Sequence, residues 1–126
     1  MKKLPDAEFE VMRAVWSLKE PVTSAAVGEY LRLSLPDREL KPQTVLTMLT
    51  RLEQKSFLRS EKTGKERLYY VLVPETEYMQ IEAQSLRQRF TGGRFQGLMR
   101  ALCDTGELTD EDIDALQRLL DKRRKP

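Results

Sequence analysis

Gln43, Thr44, Thr47, Thr50 and Arg51 crowd into one short stretch, KPQTVLTMLTRLEQK (41–55). None of them forms a nucleophile–base pair; what they share is hydrogen bonding to polar edges. Arg can bond guanine at two atoms at once. Gln can pair with adenine or reach a phosphate. Thr can donate to a base or phosphate, or set its methyl against that of thymine. Thr44, Thr47, Arg51 and Gln54 recur at i, i+3, i+7 and i+10, along one line of a helix. Short polar side chains would let that helix approach a groove floor closely. The plainer alternative is a solvated face with incidental threonines. Such a face would ordinarily carry Glu, Lys and Ala, because Thr is a poor helix former.

A second group follows directly. Lys62, Lys65 and Arg67 cluster in and beside the turn-like TGKE (63–66). Cations at a hairpin tip suit phosphates: they add affinity and salt dependence but carry no base information. Ordinary turn chemistry also favours Lys. Net charge is only +2, yet residues 41–67 hold seven Lys/Arg against three Asp/Glu. A local basic patch bears on nucleic-acid binding more than the whole-chain charge does.

Other chemistries find little support. The sequence has no histidine, which removes His-based acid–base catalysis and the commonest metal ligand. There is no Gly-rich phosphate loop, CxxC pair or Asp/Asn metal loop. Neither an enzyme nor a cofactor is expected. The single cysteine, Cys103, cannot form an internal disulfide and is expected as a small buried residue. The opening MKKLPDAEFE lacks an apolar signal segment, and the apolar runs are short. A cytoplasmic protein with no membrane insertion is therefore expected.

The elements around these groups can be read from periodicity. Val45, Met48, Leu49 and Leu52 form the apolar stripe of helix 3, with Pro42 at its first position. Helix 1 should span about Pro5 to Leu18, capped by Asp6, with Phe9, Met12, Val15 and Trp16 inward. Helix 2 should run from Thr23, its cap, to near Ser34, with Val27, Tyr30 and Leu31 inward. LPDREL (35–40) reads as a loop. FLRSEK (57–62) and RLYYVLV (67–73) read as strands around Gly64. The fold class expected is mainly α with a small β-hairpin. Three helices and a hairpin are the order of a winged helix-turn-helix, with helix 3 in the major groove.

Residues 74–126 read as three further helices, and the boundary between two domains is expected at Val73–Pro74. Their apolar sides are Tyr78, Ile81, Ser85, Leu86 and Phe90, then Phe95, Leu98, Met99 and Leu102, then Ile113, Leu116, Leu119 and Leu120. Acidic residues open helix 6 and Lys122, Arg123, Arg124 and Lys125 close it, which suits the helix dipole. About 50 residues of short helices rarely make a stable core alone. A second copy of the chain is the simplest partner. Tyr78, Ile81, Phe90, Phe95, Leu98, Met99, Leu102, Ile113, Leu116 and Leu120 are the expected dimerisation residues.

LPDAEFEVMRAVW (4–16), KPQTVLTMLTRLEQKSFL (41–58), RLYYVLVPETEY (67–78) and SLRQRFTGGRFQGLMRAL (85–102) resemble the penicillinase-repressor family of bacterial transcriptional repressors. The most specific piece is the P-x-T-V-x-T-M-L-x-R-L run, and the resemblance covers Leu4 to about Lys122. It implies a homodimer whose winged helices bind the halves of a palindromic double-stranded DNA operator. Gln43, Thr44, Thr47 and Arg51 match the family's base- and phosphate-contacting positions. In the antibiotic-resistance members a membrane sensor protease acts as inducer by triggering cleavage of an Asn–Phe bond in the dimerisation helices. Ala101–Leu102 stands at that place here. The copper-responsive branch carries a cysteine-rich tail that this sequence does not show. The alternative class is a winged-helix protein-interaction module that binds no DNA.

Overall fold

Three helices, a hairpin and three more helices make up the computed structural model, which describes residues 2–124. The elements are α1 (Asp6–Ser17), α2 (Ser24–Ser34), α3 (Pro42–Gln54), β1 (Leu58–Thr63), β2 (Glu66–Val71), α4 (Glu75–Arg89), α5 (Gly93–Asp104) and α6 (Asp110–Arg124). Lys125, expected in the basic end of the last helix, lies outside the described residues.

Local chemistry sets most of the boundaries. The Thr23 side chain accepts from Ala26 N–H at 3.1 Å and caps α2. Pro42 opens α3, where its missing N–H leaves nothing unpaired. Asp6 does not cap α1. Pro5 takes that position without a side-chain bond, and Asp6 with Glu8 places negative charge in the first turn. At α6, Thr109 and Asp112 bond reciprocally, each side chain accepting from the other's N–H at 3.0 Å. That is a capping box with Asp in place of Glu.

The end of α3 directs the wing. Ser56 is left-handed at φ 65°. Its N–H donates to Glu53 O at 3.0 Å and Phe57 N–H to Leu52 O at 2.9 Å. This double closure is a Schellman turn, and its apolar pair, Leu52 and Phe57, is buried. A non-glycine residue here costs roughly 1 kcal/mol, and the turn throws the chain from helix into β1. The hairpin is antiparallel, with Leu58 opposite Val71, Ser60 opposite Tyr69, Lys62 opposite Arg67 and Thr63 opposite Glu66. Gly64, at φ 64°, supplies the positive φ of its tip.

Both strands are displaced from the sequence pattern: β1 lies one residue later and β2 starts one residue earlier and ends two earlier, and Phe57 and Val73 are buried in the core rather than paired in the ladder. One pairing carries no sequence signal. Val22 and Tyr69 exchange backbone bonds, Val22 N–H to Tyr69 O at 3.0 Å and the return at 2.8 Å. This single bridge sits between α1 and α2, too short for any periodicity, and moors β2 to the helices.

The chain forms two compact units, Met1–Ala83 and Gln84–Pro126. The core of the first contains Val11, Met12, Ala14, Val15, Val27, Leu31, Val45, Leu49 and Leu52. Phe9, Trp16, Tyr30 and Met48 pack on its edge, partly buried. Tyr78 corrects a sequence expectation. It is 1% exposed and belongs to this core, so it has no surface to give a dimer. Its ring lies 5.9, 5.5 and 5.7 Å from those of Phe9, Trp16 and Phe57. Its hydroxyl accepts from Leu4 N–H at 2.7 Å and donates to Glu82 at 2.6 Å. Ile81 packs against the same core, partly buried, so the first unit runs into α4 beyond Pro74.

The second unit is different. None of the described residues of α5 or α6 is buried. Phe90, Phe95 and Leu98 are half-buried, while Leu86, Met99, Leu102, Ile113, Leu116, Leu119 and Leu120 are exposed. The expected inner side of α6 is therefore not inner within one chain. Cys103 is exposed rather than buried, as is to be expected on a helix none of whose residues is buried.

Candidate nucleic-acid interface

The buried stripe of α3 leaves its opposite face free. Gln43, Leu46, Thr47, Thr50, Arg51 and Gln54 line one shallow depression along it. Thr44 is exposed but does not line it. Leu46 escaped the sequence reading. It is 38% exposed on an otherwise polar face. The available signal was its position outside the i, i+3, i+4, i+7 stripe, and an apolar contact suits a thymine methyl.

The threonines are already partly engaged. Thr47 Oγ1 donates to Gln43 O at 2.9 Å and Thr50 Oγ1 to Leu46 O at 3.0 Å. A carbonyl can only accept, so each hydroxyl proton is committed to the helix. What remains for a partner is the methyl and the oxygen lone pairs. This narrows the sequence expectation that these threonines donate to bases.

A second hollow of ≈560 Å³ lies between α3 and the hairpin, lined by Leu46, Thr50, Glu53, Gln54, Arg67 and Tyr69. Leu46, Thr50 and Gln54 line both hollows, so the face of α3 runs without a break to the wing. Tyr69 is 2% exposed, and burial raises its pKa above the ordinary tyrosine value. Glu53 adds to that rise and Arg67 opposes it.

Strand alternation sorts the wing's charges. Lys62 and Arg67 face each other on the Ser60–Tyr69 side of the ladder, while Glu61 and Glu66 fall on the other side. On that other side Arg59 pairs with Glu61 at 2.9 Å and stacks 4.1 Å from the Tyr70 ring centroid. Lys55 pairs with the buried Glu8 at 2.5 Å and ties the end of α3 to the start of α1. Among the described residues, then, Lys41, Arg51, Lys62, Lys65 and Arg67 of the basic stretch have no carboxylate partner. Lys41 was not singled out in the sequence. It stands at the N-cap of α3, where the helix dipole disfavours a cation.

A helix-turn-helix with an exposed polar third helix and a basic hairpin beside it defines a winged-helix DNA-binding protein. The model of the penicillinase repressor family matches residues 4–122. The chain belongs to that family, which is one of transcriptional repressors and not of enzymes. It is 29% identical to the penicillinase repressor of Bacillus licheniformis, over 98% of this chain and 96% of the relative. It is 37% identical to an uncharacterized 16.5 kDa protein of Latilactobacillus sakei, over 94% of this chain and 78% of the relative. Among solved structures, the DNA-binding domain of the repressor BlaI matches with a TM-score of 0.50 and 32% identity, over 62% of this chain and 94% of that domain. Among the described residues no helix is long and apolar enough to cross a membrane.

Proposed function

We propose that the protein is a homodimeric repressor that occupies a palindromic operator in the cytoplasm and so blocks transcription. Each copy lays α3 in the major groove of one half-site and sets its wing on the neighbouring backbone. Arg51 reads a guanine edge, and Gln43, Leu46, Thr47 and Thr50 contact bases close to it. Thr44, Lys62, Lys65 and Arg67 meet phosphates, and Lys41 joins them at the helix start. One observation carries this reading: Lys62 and Arg67 sit opposite each other with no carboxylate between them, beside the exposed face of α3. Two like charges across a ladder destabilise a free hairpin, and an anion relieves them. Two relatives support it: the penicillinase repressor of Bacillus licheniformis and the DNA-binding domain of the repressor BlaI.

The dimer is supported by the second unit. Among the described residues of that unit, seven large apolar side chains are more than a third exposed in a single chain, which is costly in water unless a second copy covers them. Two linked half-sites then make the second binding step intramolecular. A membrane sensor protease acting as inducer would have to unwind α5 to cut Ala101–Leu102. Both residues lie inside that helix, and Ala101 O accepts from Thr105 N–H at 3.0 Å and Thr105 Oγ1 at 2.8 Å.

Selection of binding sites from a random duplex pool, followed by affinities for the selected site, tests the reading. Arg51→Ala is expected to cost about 1–3 kcal/mol there and to relax preference at one base pair. Equal binding by both proteins would remove α3 from base recognition.

A further inference from the structure

Arg67 is held in an unusual way for a guanidinium near a carboxylate. Its Nη1 donates to Ser60 Oγ at 2.9 Å, and Ser60 Oγ donates to both Glu53 oxygens, at 2.8 and 2.9 Å. The proton directions are forced. A guanidinium cannot accept and a carboxylate cannot donate, so the hydroxyl accepts from one and donates to the other. Glu53 sits in the last turn of α3, Ser60 in β1 and Arg67 in β2, so the chain of bonds crosses from helix to wing. Glu53 and Arg67 line the same hollow, yet they form no ion pair within 4.0 Å.

We infer that Ser60 is a positioning residue that separates Arg67 from Glu53, so that the wing's guanidinium is fixed in place without being neutralised. Resting on the reading of Arg67 as a phosphate contact, this assigns a role to two residues that touch no DNA. Direct Arg–carboxylate pairs are charge-assisted and frequently bidentate. A phosphate competing for a guanidinium so paired gains little, because the site is already neutral and few counterions are released on binding. With a neutral hydroxyl between the groups, Arg67 keeps its charge, and on binding it neutralises a phosphate and releases the cation condensed there. Glu53 meanwhile orients the hydroxyl's single proton away from Arg67.

The test uses the full-length protein and a mixed-sequence duplex of about 30 base pairs, with affinity followed by anisotropy between about 50 and 200 mM salt. Arg67→Ala is expected to reduce the log–log salt slope by about one. Ser60→Ala is expected to reduce it nearly as much, although it removes no charge, because Arg67 closes on Glu53. Ser60→Ala combined with Glu53→Gln restores the slope, and Ser60→Thr, which keeps the hydroxyl, leaves it unchanged. Thermal melts of each variant report folding separately. A wild-type slope in Ser60→Ala alongside a reduced slope in Arg67→Ala overturns the separation and leaves the phosphate contact standing. Failure of Glu53→Gln to restore the slope overturns it too. A wild-type slope in Arg67→Ala overturns both.

Discussion

Lys62 and Arg67 stand directly opposite one another across the β1–β2 ladder, on the side that faces α3. A hairpin selected only for stability would place opposite charges there, and this one has Glu61 and Glu66 next door in sequence. The like-charge pair weakens the free wing, and an anion bound there would relieve it. Lys62→Thr is therefore expected to raise the stability of the free protein by roughly 0.2–1 kcal/mol, read by urea unfolding. The same variant should weaken binding to any duplex and reduce the salt slope by about one. A variant both less stable and unchanged in slope would assign Lys62 to the fold instead.

Thr47 offers a sharper test of the α3 face. Its hydroxyl proton is committed to Gln43 O, which leaves the methyl and the oxygen lone pairs for a partner, and the methyl suits a thymine. Thr47→Val should keep affinity for the selected site within about threefold. Thr47→Ser, which removes the methyl, should cost about 0.8 kcal/mol. The reverse order of the two variants in a binding titration would mean that the hydroxyl oxygen, rather than the methyl, makes the contact with DNA.

Tyr78 links the first residues of the chain to α4 through Leu4 and Glu82. Tyr78→Phe keeps the ring packing but strands the buried Leu4 N–H, an expected loss of about 1–3 kcal/mol in thermal or urea unfolding. Burial, with the Glu82 bond second, pushes the Tyr78 hydroxyl up to about 12. The folded value thus lies above the ordinary 10.0, so the folded state holds the proton more tightly than the unfolded one. The resulting stability is present below pH 10 and is lost as the pH rises through about 12. Tyr78→Phe should show less loss than wild type across that window, and identical alkaline profiles would contradict the assignment.

Leu116 is 46% exposed in the single chain and stands in the middle of α6. Leu116→Glu is expected to yield monomers in sedimentation at concentrations where wild type is dimeric. Binding to a duplex with two half-sites should fall by roughly 10²–10⁴, while binding to a single half-site changes little. A dimeric Leu116→Glu protein would move the interface away from α6.

Much of this protein was legible one residue at a time. Periodicities of 3.6 and 2, Pro42, Thr23, Gly64 and the basic cluster marked the helices, caps and hairpin, because each depends on contacts a few residues apart. The polar face of α3 was legible for the same reason: Val45, Leu49 and Leu52 point one way, so Thr47, Thr50 and Arg51 must point the other.

What depended on residues far apart in sequence was decided only in three dimensions. The Val22–Tyr69 bridge and the capture of Tyr78 by Leu4 join positions 47 and 74 residues apart, and neither partner signals the other. Strand register decided which wing charges oppose each other. Tertiary placement decided that Lys55 serves Glu8, that Arg67 is held off Glu53 by a hydroxyl, and that Leu46 shares a face with the threonines. Local propensity acts within a turn or two of helix, whereas charge pairing and burial depend on which distant segments the core brings together.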